Sequence, residues 1–154
     1  MIYHGHGALK KIEELENCSL GPEECRVVLV EGYSDKVYRD TKGIPTKGVG
    51  QTGPWLNKTF RESFEHHEDR VIKRIPSYPS FPTYLRAELM QAEYRGDLGL
   101  SPKAVGLLND ERYIAAAEEF LNNREYKNPR TPKSIKKRLE AVHHALHLYA
   151  KQQG

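Results

Sequence analysis

Two carboxylic acids and a threonine open the chemical reading of this chain. Glu31 is followed nine residues later by Asp40, and Thr46 comes six residues after that, within the segment VEGYSDKVYRDTKGIPTKGVGQTG at 30–53. Cleaving a glycosidic bond requires one carboxylic acid to protonate the leaving oxygen. A second oxygen function then activates a water or attacks the anomeric carbon. A glutamate at a helix end and an aspartate on a hairpin arm can serve those roles if they face one another, and a threonine hydroxyl beside the aspartate can hold the water. Each residue also has an ordinary explanation. An aspartate that opens a turn is common turn chemistry, a glutamate that closes a helix opposes the helix dipole slightly, and a threonine suits a strand.

The flanking residues predict how these groups are positioned. Pro22 with Glu23 and Glu24 reads as the start of a helix, and Gly32 as its stop, so Glu31 closes the helix. Val37-Tyr38-Arg39 predicts a strand, and Asp40-Thr41-Lys42-Gly43 a turn with Asp first and Gly fourth. Ile44-Pro45-Thr46 returns as an edge strand, because Pro45 cannot donate to a ladder. ALKKIEELE at 8–16 predicts an earlier, polar-faced helix. After Trp55 the pattern is helical. Phe60, Phe64, His67, Val71 and Ile75 form one stripe, and Tyr84, Leu85, Leu89 and Met90 a second. Tyr113, Ala116, Ala117, Phe120 and Leu121 form a third, and Ile135, Leu139, Val142, Leu146 and Tyr149 the last. The expected class is α+β and mostly helical, with a small β-hairpin lobe and a helical C-terminal lobe. A cleft between two such lobes is a natural ligand site.

With 154 residues the chain suits one domain, and its 38% hydrophobic and 29% charged content reads as an ordinary globular protein. No apolar run approaches the roughly 20 residues of a membrane span, and no secretory signal is recognisable at MIYHGHGALKK. A net charge of +3 argues against a general nucleic-acid binder. Cations nevertheless gather after residue 123, at Arg124, Lys127, Arg130, Lys133, Lys136, Lys137, Arg138 and Lys151, a face suited to anionic polymers or membranes. Cys18 and Cys25 are too few for a disulfide framework, although an oxidising compartment would let them pair.

Among seven histidines, His143 and His147 share a helix face with Glu140 and His144 close by. HExxH is absent and no distant third ligand stands out, so the reading is a polar helix border, with no metal and no cofactor. His66-His67-Glu68-Asp69 reads as a solvated face with one inward histidine. GVG and GHG lack a phosphate-binding context, and no G-x-S-x-G nucleophile motif is present.

The 30–53 segment resembles the active-site hairpin of phage lysozymes, the T-even type muramidases of glycoside hydrolase family twenty-four. Glu31, Asp40, Thr46 and TKGVG at 46–50 match that family's Glu, eight residues, Asp, five residues, then Thr leading into T-x-G-x-G. At lower specificity the likeness extends through YRGDLG (94–99), ERYIAAAEEFLNN (111–123) and NPRTPKSIKKRLEA (128–141), covering roughly 22–150. The resemblance implies a two-lobed lysozyme-like domain over 1–154. Its parts would be an N-terminal helical extension at 1–21, a catalytic α/β lobe at 22–56, a connecting helix at 57–75 and a helical lobe at 76–154.

It also implies cleavage of the β-1,4 bond from N-acetylmuramic acid to N-acetylglucosamine with inversion. Glu31 would be the acid, Asp40 the group that positions or deprotonates the water, and Thr46 its holder, with the carboxyls roughly 6.5–9.5 Å apart. Thr52 and Tyr94 match positions lining the family's glycan cleft. The partner would be peptidoglycan, with the basic segment touching an anionic surface. The protein would be a monomer made in the host cytoplasm, and would act on the wall after a membrane lesion or as part of a virion.

There are departures. Gln51 stands where the family commonly has a structural His, and Arg95 where it has an amide. Lys136, Lys137 and Arg138 compete for the place of a cation near the catalytic Glu. The alternatives are a lytic transglycosylase, which would not need Asp40 or Thr46, and a non-catalytic basic wall-binding module.

Overall fold

In the computed structural model, which describes residues 1–17 and 19–154, the chain is mostly helical with one small antiparallel sheet. It divides into two units, Met1–Glu68 and Asp69–Gly154.

In the first unit, β1 (Ile2–Tyr3) leads into α1 (Gly5–Glu16) and α2 (Pro22–Glu31). The sheet continues with β2 (Tyr33–Arg39) and β3 (Pro45–Gly48), and α3 (Phe60–Arg74) starts here and runs on into the second unit. The strand order is β1-β2-β3. Pro45 lies on an edge strand, as its missing N–H requires. The segment expected as a helical extension thus also supplies a strand, with Ile2 opposite Ser34 and Tyr3 opposite Tyr33. Ala8 and Ile12 of α1 are buried, as are Val27, Val28, Val49, Phe60 and Phe64, and α1 packs on α2.

Gly32 is the stop for α2, and its geometry explains why no other residue suits. Its φ is +76°, and a β-carbon there would lie 2.9 Å from the Tyr3 carbonyl. The helix can therefore end and the chain turn into β2 while β1 passes close by. The expected C-terminal stop is present, and it seats Glu31 on the last residue of α2.

The second unit holds α4 (Thr83–Arg95), α5 (Pro102–Asn109), α6 (Tyr113–Phe120), α7 (Arg124–Lys127) and α8 (Lys133–Gln153). Three of these follow the apolar stripes read from the sequence, whereas α5 and α7 were not expected. α8 packs on α4 and α6, and α5 on α6. Leu85, Leu89, Met90, Phe120, Val142 and Leu146 lie fully buried among them. Gly96, with φ +95°, ends α4.

Several buried polar side chains of this unit are paired. Glu93, only 3% exposed, accepts from Arg70 Nε at 3.1 Å and Arg74 Nε at 3.0 Å. Arg138, counted in the sequence with the basic face, is buried instead. Its Nε donates to Gln91 Oε1 at 2.8 Å and its Nη2 to the Gln91 carbonyl at 3.0 Å, while Gln91 Nε2 donates back to the Arg138 carbonyl at 3.1 Å. A guanidinium with matched acceptors can leave water, whereas an unpaired one could not. The remaining cations of that segment stay at least partly exposed. No helix among the described residues is long and apolar enough to cross a membrane.

Candidate active site

Glu31 is half-buried at the end of α2, and its carboxyl lies directly over Gly50. A β-carbon placed on Gly50 would overlap the Glu31 Oε1 and sit 3.1 Å from Cδ and 3.5 Å from Cγ. Gly50, at φ +59°, is therefore required twice: once for a backbone conformation L side chains rarely adopt, and once to leave room for the carboxyl. The second glycine of TKGVG is thus a floor for Glu31.

Asp40 occupies the turn between β2 and β3. Its Oδ1 accepts from the backbone N–H groups of Lys42 at 2.8 Å and Ile44 at 2.9 Å, and its carbonyl accepts from Gly43 N at 2.9 Å. Turn formation consumes one carboxylate oxygen, and among the described residues the other takes no hydrogen bond. Asp40 is thus a turn aspartate with one carboxylate oxygen not engaged in the turn.

Thr46 is 3% exposed, and its Oγ1 donates to the Ile44 carbonyl at 2.9 Å. The same carbonyl accepts from Asp40 N at 3.0 Å, so one acceptor ties Asp40 and Thr46 into a single turn structure. Since its proton is committed, the Thr46 hydroxyl can offer only lone pairs to a further partner.

Tyr38 links the three residues. It stands directly across the ladder from Thr46. Its phenol is pushed above the ordinary tyrosine range by burial first, then by the negative charges of Glu31 and Asp40. Both carboxylates thus act electrostatically on one half-buried phenol. Sequence reading placed Tyr38 in the strand and assigned it no part in the site; its position two residues before Asp40, on the same strand face, was the available signal.

Gln51 is 3% exposed and holds the loop that carries Gly50. Its Oε1 accepts from Val49 N at 3.1 Å, while its Nε2 donates to the carbonyls of Trp55 at 3.0 Å and Lys58 at 2.6 Å. Where the resemblance has a structural histidine, this amide ties three backbone groups. Thr52 is half-buried, and its hydroxyl makes no hydrogen bond among the described residues. Trp55 stacks on His66, with ring centroids 4.3 Å apart, and His67 Nδ1 lies 2.7 Å from the Ser63 carbonyl. Both histidines are therefore partly packed, where the sequence suggested one solvated and one inward.

Tyr94 belongs to α4 of the second unit and is 9% exposed, placed more as a core residue than as a surface contact. Arg95 is held inside that unit. Its Nη1 donates to Asp97 Oδ1 at 2.6 Å and Glu125 Oε1 at 2.9 Å, and its Nη2 to Glu125 Oε2 at 2.6 Å. Burial works against the charged guanidinium, but Glu125 and Asp97 together hold it above its ordinary value. The cation standing in place of an amide thus serves an internal ion-pair cluster.

A cavity of about 230 Å³ opens elsewhere in the first unit, lined in part by Ile12, Leu15, Tyr33, Lys47 and Asn57. Glu31, Asp40 and Thr46 do not line it. Cys25 Sγ lies 3.8 Å from the Leu20 carbonyl, and burial, then Glu13 and Glu24, push its thiol up. Its suggested partner Cys18 lies outside the described residues.

No model of a known protein family matches the chain, and no curated protein matches it in sequence.

Proposed function

We propose that this chain is a peptidoglycan hydrolase of the muramidase type, with a lysozyme-like fold, cleaving the β-1,4 bond after N-acetylmuramic acid. The observation that carries the reading is that Glu31, set over Gly50, and Asp40 both act on the Tyr38 phenol, which pairs across the ladder with Thr46. Glu31 gives its proton to the leaving glycosidic oxygen as the bond to the anomeric carbon breaks. The unbonded Asp40 oxygen takes a proton from a water, whose oxygen forms the new bond on the opposite face. The Thr46 oxygen accepts a hydrogen bond from that water and holds it in line. The product is a free reducing end with inverted configuration. Thr52, with its uncommitted hydroxyl, is the further glycan contact this reading names.

The substrate fixes where the protein works. It reaches the wall through a membrane lesion or as part of a virion, and exposed Lys and Arg side chains of the C-terminal segment favour an anionic surface.

The test is turbidity loss of outer-membrane-permeabilised Gram-negative cells, comparing the parent with Glu31→Gln. A general acid contributes about 10²- to 10⁴-fold, so E31Q should clear cells at least about a hundredfold more slowly. Equal clearing by both proteins would remove Glu31 from the mechanism. Anhydro ends on the released muropeptides would replace hydrolysis by transglycosylation.

A further inference from the structure

The second unit adds a third group to the histidine pair that the sequence reading noted. Glu118 on α6 and His143 and His147 on α8 each offer a ligand atom, and these atoms lie within 4.8 Å of one another. We propose that Glu118, His143 and His147 form a binding site for a first-row divalent cation, Zn²⁺ by the chemistry of its donors, which clips α6 to α8. A histidine pair one helical turn apart was visible in the sequence. The missing third ligand comes from the helix that α8 packs against.

The surroundings of the two rings suit this role. His143 Nδ1 lies 2.9 Å from the Ala117 carbonyl. A carbonyl only accepts, so Nδ1 carries the proton and Nε2 keeps its lone pair. Such an N–H···O=C bond is the usual means of fixing the tautomer and orientation of a metal-binding histidine. His147 Nε2 lies 2.9 Å from Glu118 Oε1, with the ring centroids of His143 and His147 4.5 Å apart. A metal replaces the proton between Nε2 and Oε1; that proton leaves to solvent or moves to Nδ1, and the nitrogen lone pair becomes a ligand.

Bonds of about 2.0–2.1 Å in a tetrahedron place ligand atoms about 3.3 Å apart. Closing from separations of up to 4.8 Å takes side-chain movement of up to about 1.5 Å. Two imidazoles and one carboxylate suit zinc, whereas calcium and magnesium call for oxygen shells. Glu118 is 63% exposed, so water has access to the fourth position.

The experiment adds Zn²⁺ to metal-free full-length protein in a non-chelating buffer and measures binding by calorimetry and Tm by thermal unfolding. His147→Gln and Glu118→Gln are run in parallel. The other histidines remain in both variants, so background binding is common to all three proteins. The parent should bind one equivalent more tightly than either variant by at least about tenfold. At a free Zn²⁺ a hundredfold above Kd its Tm should rise by about 5–10 °C. Each variant should lose most of that rise. Co²⁺ should give the parent, but not H147Q, the intense visible absorption of a low-coordinate site. A Zn²⁺ affinity or Tm response in either variant equal to the parent's would overturn the three-ligand site, as would a fall in the parent's Tm on adding Zn²⁺.

Discussion

Replacing Gly50 by alanine tests the placement of Glu31 while leaving every proposed chemical group in the chain. Two costs follow from the geometry. At φ +59° an alanine pays the left-handed penalty of about 1–2 kcal/mol, which in a chain of this size lowers Tm by roughly 2–8 °C. The methyl would also collide with the Glu31 carboxylate oxygen and sit 3.1 Å from its carbon, tighter than most real contacts of this kind. The carboxyl must retreat by about an ångström, and a displacement of that size at a reacting group costs on the order of a hundredfold in rate. Gly53→Ala supplies the control. Gly53 has φ +55° in the same loop, but a β-carbon there meets nothing within 4 Å. Both variants should lose similar stability in thermal unfolding. In turbidity assays well below either Tm, G50A should lose about two orders of magnitude while G53A stays within about twofold of the parent. Parent-like clearing by G50A, or an equal loss in G53A, would refute the claim that contact with Glu31, and not backbone strain, makes this glycine necessary.

Two further outcomes are measurable without turnover. The Tyr38 phenol, raised by burial and by both carboxylates, should titrate lower in Glu31→Gln and in Asp40→Asn than in the parent, followed by NMR of ring-labelled tyrosine. If neither substitution moves it, the two acids do not share this neighbourhood. Asp97 has its carboxyl raised by burial, with Arg95 and Arg138 pulling it back and Glu125 adding to the rise. The folded state therefore holds this proton more tightly than the unfolded state. Relative to Asp97→Asn, the parent should lose stability as pH rises from the ordinary carboxylate value through the raised one, and stay level on either side. Denaturant melts in which that difference grows more favourable with rising pH would reverse the assignment.

What the sequence made legible was local. Pro22 and Gly32 bracket α2 because one lacks an N–H where none is needed and the other tolerates φ +76°. Asp40 and Gly43 mark the turn because a short carboxylate can accept from the nearby N–H groups of Lys42 and Ile44. The apolar stripes foretold the long helices for the same reason: periodicity is a property of neighbours. β1 was missed because two residues cannot show alternation, and Ile2 and Tyr3 become a strand only through β2. α5 carries a start signal in Ser101-Pro102, but only Ala104 and Leu108 of it are buried, too few to make a stripe. Arg138 was misassigned because burial of a guanidinium depends on acceptors 47 residues away in sequence.

The candidate site divides along the same line. Residue types and spacing named Glu31, Asp40 and Thr46, but spacing cannot say which neighbour prepares each one. Gly50 bears on Glu31 across nineteen positions, Tyr38 meets Thr46 through strand pairing, and Glu118 reaches His147 across twenty-nine. In each case a residue of unremarkable type acquires a role from what the fold sets against it. The glycine in TKGVG shows the consequence. Read as sequence, it is a flexible point in a loop; in the fold, its missing side chain is the space the Glu31 carboxyl occupies. Any chain that keeps the acid but fills that space should retain the spacing of the site and lose the position of its acid, which is why G50A is a sharper test of the arrangement than removal of the acid itself.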